Sequence, residues 1–198
     1  MNSIIRLSIL VAIAATILSC KEKIQGPQKV EFPDLGPRIE LVYKDGEYMP
    51  KSDPIPEAVF KQYSIGTWKL TEIKDVDISG KLTDVDFSYS DGNIYPFFSL
   101  RNEGLVRQYI DTPQNKTYID GSYSYDETTN RLHFNGAVSQ HPEFRIFKMQ
   151  ETEMHGSFTS PDNDSDDSVL TIYIYQKLSY EQEVGLDIIF GAEQINNI

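Results

Sequence analysis

The chain has 198 residues, with 18 Lys+Arg against 30 Asp+Glu for a net charge of −12, and 12% of it is aromatic. Such a surface repels nucleic acid and anionic lipid head groups, so a nucleic-acid role is disfavoured and partners are expected to be neutral or basic. The many Tyr and Phe argue against disorder and for a chain that buries an ordinary core.

The first predicted element is an export signal. Arg6 is the only charge before an apolar run from Leu7 to Leu18 that ends in Ser19 and Cys20, the order of positive start, apolar middle and small-residue cut site. At about a dozen residues the run is shorter than the roughly 20 that a membrane-spanning helix needs, and no later stretch approaches that length. Ile17-Leu18-Ser19-Cys20 resembles the lipobox of bacterial lipoproteins, in which the cysteine is acylated and becomes the first residue of the mature protein. Cys20 is the sole cysteine, so no disulfide within the chain competes for it. The resemblance implies a signal peptide over residues 1–19 and anchoring through acyl chains on Cys20; two or more such chains hold stably where one would be marginal. An ordinary signal peptide cut nearby, or an incidental thiol, is the alternative. Cleavage removes only Arg6 among the charges, leaving 17 basic against 30 acidic residues and a net charge of −13. Lys21-Glu22-Lys23 is similar to the charged tags that send lipoproteins to the cell surface. The expected location is the outer membrane, lipid-anchored, facing periplasm or exterior.

Residues 20–56 carry Pro27, Pro33, Pro37, Pro50, Pro54 and Pro56, a density that prevents regular helix and interrupts a sheet ladder. This reads as a tether, although Ile39 to Met49 alternates around Lys44-Asp45-Gly46 and also suits a short hairpin or added edge strand. Glu57 to Ser64, with Val59, Phe60 and Tyr63, predicts one or two helical turns closing on Gly66. A sheet pattern follows. Trp68 and Leu70 alternate with Lys69 and Thr71; Asp91-Gly92 and Asn102-Glu103-Gly104 punctuate a run containing Phe97, Phe98 and Leu100; Leu105 to Ile110 forms the next strand. Two hairpins are predicted, Ser122–Tyr125 with Arg131–Phe134 and Phe144–Met149 with Met154–Phe158. The last strand, Val169–Leu178, sets Leu170, Ile172 and Ile174 against Thr171, Tyr173, Tyr175 and Lys177, so its two faces have different surroundings. Short strands at intervals of about ten residues suit a meander closed as a barrel, or a sandwich. In the extension 179–198, Ser179 with Gln182 suits a capping box, and Tyr180, Val184 and Ile188 share one helical face, predicting a helix packed across the barrel.

At Gly66-Thr67-Trp68 the chain resembles lipocalin-like domains of Gram-negative lipoproteins, in which a helical turn leads into Gly-x-Trp on the first strand. The later order of GSYSYDETTNRLHF, FRIFKMQETEMHGSF and LTIYIYQKL is similar too, covering residues 57–178. The resemblance implies an all-β, antiparallel up-and-down barrel whose closed end is plugged by Trp68. It also implies a basic side chain packed across that indole, with Lys177 in place of the more usual Arg; a cation over an indole is physically sound. An eight-stranded barrel is wide enough to be filled by side chains or to hold one small ligand.

No constellation of catalytic residues is visible. His133, His141 and His155 fall on or beside different strands without metal-ligand spacing, and HExxH, G-x-S-x-G and phosphate-loop motifs are absent from the sequence. Asp162, Asp164 and Asp166 could converge on calcium from one loop. They fail the EF-hand pattern, because Asp167 replaces the turn glycine and Tyr173 stands where the bidentate Glu belongs, so a solvated loop is the better reading. Asp167-Ser168-Val169 matches the Asp-Ser/Thr-aliphatic pattern that some Gram-negative bacteria O-glycosylate, making Ser168 a candidate. The expected function is non-catalytic binding of a small apolar or carbohydrate ligand by a membrane-anchored barrel, with no cofactor. The alternative is a protein-interaction or inhibitor-like accessory subunit of a cell-envelope complex.

Overall fold

A hydrophobic period of two sends successive side chains to opposite faces of a strand, and in the computed structural model that pattern builds a closed sheet. Residues 36–44, 46–88, 96–111, 116–136, 142–158 and 168–195 are described, with side chains of the last helix described through Phe190. Cys20, the Asp91-Gly92 turn, His141 and the Asp162, Asp164 and Asp166 loop lie outside them.

The elements are β1 (Leu41–Lys44), β2 (Glu47–Pro50), α1 (Glu57–Ser64), β3 (Gly66–Asp77), β4 (Leu82–Asp84), β5 (Phe97–Arg101), a 3-10 turn, β6 (Leu105–Asp111), β7 (Lys116–Asp126), β8 (Arg131–Asn135), β9 (Glu143–Met149), β10 (Glu153–Phe158), β11 (Ser168–Lys177) and α2 (Tyr180–Ile195). Strands β3 and β5 through β11 each pair antiparallel with the next, and β11 returns to β3 along its length, from Ser168↔Asp77 to Lys177↔Trp68. Eight strands therefore close an up-and-down barrel, and closure excludes the sandwich by leaving no second sheet face to pack. β4 shares an edge of β3 with β5: Gly66 to Lys69 pair with β5, Lys74 to Val76 with β4.

Three bulges interrupt the register. Thr71 and Val169 are the extra residues between β3 and β11, and Phe147 the extra residue between β9 and β10; each lets its strand bend around the barrel. Trp68, Leu70, Ile73, Phe98, Leu100, Val106, Leu132, Phe134, Phe144, Ile146, Met154 and Tyr175 form the buried interior with Ile55, Val59 and Phe60 of the α1 region. On β11 it is the tyrosine face that enters the barrel. Leu170, Ile172 and Ile174 point outward and are covered, with Val76 and Phe147, by Ile39, Leu41 and Met49.

That cover corrects the tether. From Gly36 on, the Pro-rich segment is folded onto the barrel, with β1 and β2 paired from Leu41↔Pro50 to Lys44↔Glu47. Glu47 on the hairpin lies 2.9 Å from Arg131 and 3.0 Å from the nearly buried Arg145 on the barrel wall, and Arg131 also pairs with Glu143. Ile39 N donates to Gly80 O at 2.9 Å; a Cβ at Gly80, where φ is +78°, would fall 2.1 Å from Ile39 O, so only glycine permits that approach.

The C-terminal helix is present and its N-terminus is capped as a box: Ser179 N donates to Gln182 Oε1 at 2.9 Å and Gln182 N to Ser179 Oγ at 3.4 Å. Its packed face differs from the expected one. Leu186 and Phe190 bury against Tyr109, Phe97 and Tyr118 on the outside of the barrel, whereas Tyr180 is 79% and Ile188 65% exposed. Polar contacts set the rotation. Glu183 accepts from Thr67 Oγ1 at 2.7 Å and Asp187 from Tyr109 OH at 2.6 Å, and both carboxylates can reach the wall only if the Tyr180 stripe turns away. Among the described residues no helix is long and apolar enough to cross a membrane.

Candidate functional site: a sealed base and an open aromatic half

The base of the barrel is sealed by the residues around Trp68. The indole is fully buried, and Nε1 donates to Ser64 O at 2.7 Å; an N–H needs such a partner inside. Lys177 Nζ stands 5.0 Å from the ring centroid and donates to Tyr63 O at 2.7 Å, so its charge faces the end of α1 and the π-cloud together. Burial lowers the pKa of this ammonium, against the opposing pull of Glu151 and Glu183. Gly66 has φ +133°, and a Cβ there would come within 3.0 Å of Lys177 Cε; the missing side chain is what lets the lysine stem lie across the strand. Gly66, Trp68 and Lys177 are thus one assembly that fixes α1 over the barrel end.

Asn130 completes the seal, a role its place in a polar turn did not announce. At φ +55°, its Oδ1 accepts from Ile55 N at 2.8 Å and its Nδ2 donates to Asp53 O at 3.3 Å. Tyr125 OH donates to Ile55 O at 2.8 Å, and its ring stacks on Phe60 at 4.0 Å. Among the described residues, buried Ile55, Phe60 and Trp68 fill this end of the barrel.

The opposite half is built otherwise. Aromatic rings run in unbroken contact from the centre outward: Phe98 to Tyr175 at 4.9 Å, Tyr175 to Phe144 at 5.8 Å, Phe144 to Phe158 at 4.7 Å and Phe158 to Tyr173 at 5.1 Å. The inner three are buried and the outer two half-buried. Gly156 makes room for this ladder, since a Cβ there would sit 2.4 Å from the Phe144 ring. Half-buried Val85 and Phe87 pack on the same cluster. Ile119 is paired with Gln108 and so faces inward, yet it is 39% exposed. A cleft of about 320 Å3 opens beside Ile73, Val85 and Phe87, with Glu72, Asp84 and Asp86 also lining it, where the edge of β3 passes from β5 to β4.

Two polar groups belong to this half. Gln108 is 2% exposed, and its side chain has no hydrogen-bond partner among the described residues. The Tyr173 hydroxyl likewise has none, and burial together with nearby Asp75 raises its pKa, keeping it a donor at neutral pH. Gln108 could have been found in the sequence as the polar residue between Val106 and Ile110 on the inward face of β6.

The two described histidines, His133 and His155, have separate partners. His133 Nδ1 lies 3.2 Å from Glu143 on the outer wall, and His155 Nε2 lies 2.6 Å from Glu153 at an angle that makes no directed hydrogen bond. Among the described residues no group of three or more His, Cys, Asp or Glu could hold a metal ion. Ser168 is half-buried, and its hydroxyl donates to Leu170 O at 3.3 Å, so a glycan there would first have to release that contact.

Residues 65–156 match the family model described as Lipocalin-like domain. Among solved structures the chain is similar to a bovine odorant binding protein, a deswapped triple mutant, at 12% identity and TM-score 0.33, covering 64% of this chain and 85% of that one. No curated protein matches. Eight strands close in meander order beside a C-terminal helix, and residues 65–156 within them are similar to lipocalin-like domains.

Proposed function

We propose that this protein is a lipid-anchored binding protein that holds a small apolar molecule, without covalent chemistry, in the open half of its barrel. The observation that carries this reading is the aromatic ladder from buried Phe98 to half-buried Phe158 and Tyr173, which leaves apolar surface accessible inside a closed wall. Pockets for small ligands are of this kind, mostly apolar with a few placed polar groups, and an eight-stranded barrel has room for one such ligand. A carbohydrate is less well suited, because the inner wall offers few polar groups to replace its hydration.

The test is titration of the chain from residue 21, which retains every described residue, with diphenylhexatriene, a dye that emits only in apolar surroundings. A saturable one-to-one rise is expected, weakened at least tenfold by Phe158→Asp. Absence of saturation, or a rise untouched by that substitution, refutes the reading. The anchor is tested in cells by metabolic labelling with an alkynyl fatty acid: Cys20→Ser should abolish the label, and an unlabelled wild-type protein would remove the anchor.

A further inference from the structure

We propose that the open half selects neutral apolar molecules bearing one hydrogen-bonding group, such as long-chain amides or alcohols, and rejects carboxylates, with Gln108 as the anchoring residue. This rests on the ligand-binding reading above.

The inference comes from the charges on the inner wall. Register fixes which residues face inward: Phe98 opposes Gln108, Gln108 opposes Ile119, Ile73 opposes Tyr173 and Asp75 opposes Thr171. Following the alternation from these pairs, the basic side chain that takes an inward position among the described residues is Lys177, which pairs with Trp68 and donates to Tyr63 O at the sealed base, so none faces the open half. The basic side chains of the same strands point outward, where Arg107 holds Asp120 at 2.7 Å and Lys74 holds Asp84 at 2.6 Å. The inward acid is Asp75, which accepts from Thr171 Oγ1 at 2.7 Å. A ligand carboxylate would lose its water, meet no cation and approach this like charge, all of which disfavour it.

Gln108 supplies the opposite preference. The Gln108 amide makes no hydrogen bond to a described residue, and it can donate and accept at once. A ligand amide or hydroxyl does the same, and the Tyr173 hydroxyl adds a donor along the wall.

With diphenylhexatriene bound, oleamide and oleate compete as displacers that share one chain and differ in head-group charge. Oleamide is expected to displace the dye at a concentration at least tenfold below that of oleate. In Gln108→Leu the preference for oleamide over oleate should fall at least threefold; Gln108→Met serves if the leucine variant does not fold. Oleate equal to or stronger than oleamide, or oleamide indifferent to residue 108, overturns the proposal. Failure of the wild-type chain to bind the dye at all instead overturns the ligand-binding reading beneath it.

Discussion

Phe190→Ala separates the observed packing of α2 from the one its sequence advertises. Phe190 is 2% exposed and meets Tyr109 at 5.2 Å and Phe97 at 6.3 Å, both edge-on. Truncating a buried phenylalanine costs about 3–5 kcal/mol, and the two aromatic contacts place this site toward the upper part of that range. Ile188, by contrast, is 65% exposed, so Ile188→Ala should stay within about 0.5 kcal/mol. With a urea slope of about 2 kcal/mol/M, the first substitution should lower the unfolding midpoint by about 2 M and the second by almost nothing. Trp68 is the sole tryptophan and reports barrel unfolding, while far-ultraviolet circular dichroism reports α2 along with the sheet. Equal losses at the two positions, or a larger one at Ile188, would show that the helix sits with its Tyr180 stripe against the barrel and would refute the rotation set by Glu183 and Asp187.

Three further outcomes are expected. Gly156→Ala should destabilise by about 1–3 kcal/mol by overpacking, because the new methyl would meet the Phe144 ring and Arg145 O at 2.4 Å; an unchanged urea midpoint would contradict the ladder. Glu47→Ala removes a carboxylate shared by Arg131 and Arg145. Since Glu47 is itself about a third exposed, solvent screening limits the loss to about 1–2 kcal/mol. Limited proteolysis should then open β1 and β2 while leaving the barrel intact, and an uncleaved hairpin would count against the strap. His155 has its pKa lowered, first by burial and then by Lys148, against the pull of Glu153. A histidine harder to protonate when folded contributes stability above its unfolded value near 6.5 and loses it as pH falls below that, by up to about 1.4 kcal/mol per pH unit. Urea midpoints should therefore drop between pH 7 and pH 5, and His155→Gln should flatten that drop; an unchanged slope would mean other groups set it.

The barrel was legible in the sequence because alternation from Trp68 to Lys177 is a local property of each strand. Which face turned inward was not. On β11 the aliphatic face looks like core and is indeed buried, but beneath a hairpin from residues 36–50, while the interior took the larger tyrosines. Nothing local to β11 reveals the hairpin, since its cover arrives from more than a hundred residues away. The hairpin itself was legible as an alternative around Lys44-Asp45-Gly46, but proline density made its segment read as a tether: Pro50 is the last residue of β2, and Pro54 and Pro56 lead into α1, positions where a missing N–H costs little. For α2 the stripe of Tyr180, Val184 and Ile188 and the pair Leu186 and Phe190 compete for the wall, and the choice falls to Thr67 and Tyr109, polar partners invisible from the helix alone. Gln108 needed the register of two neighbouring strands before its position had meaning.

The most direct measurement of the ligand-binding reading is nuclear Overhauser contact between a bound apolar ligand and assigned methyl groups. Contacts to Ile73, Val85 and Ile119 are expected, with none to Val184 or Ile188 on the outer face of α2. Contacts at the helix and silence from the three inward methyls would place the ligand outside the barrel and contradict the proposed site.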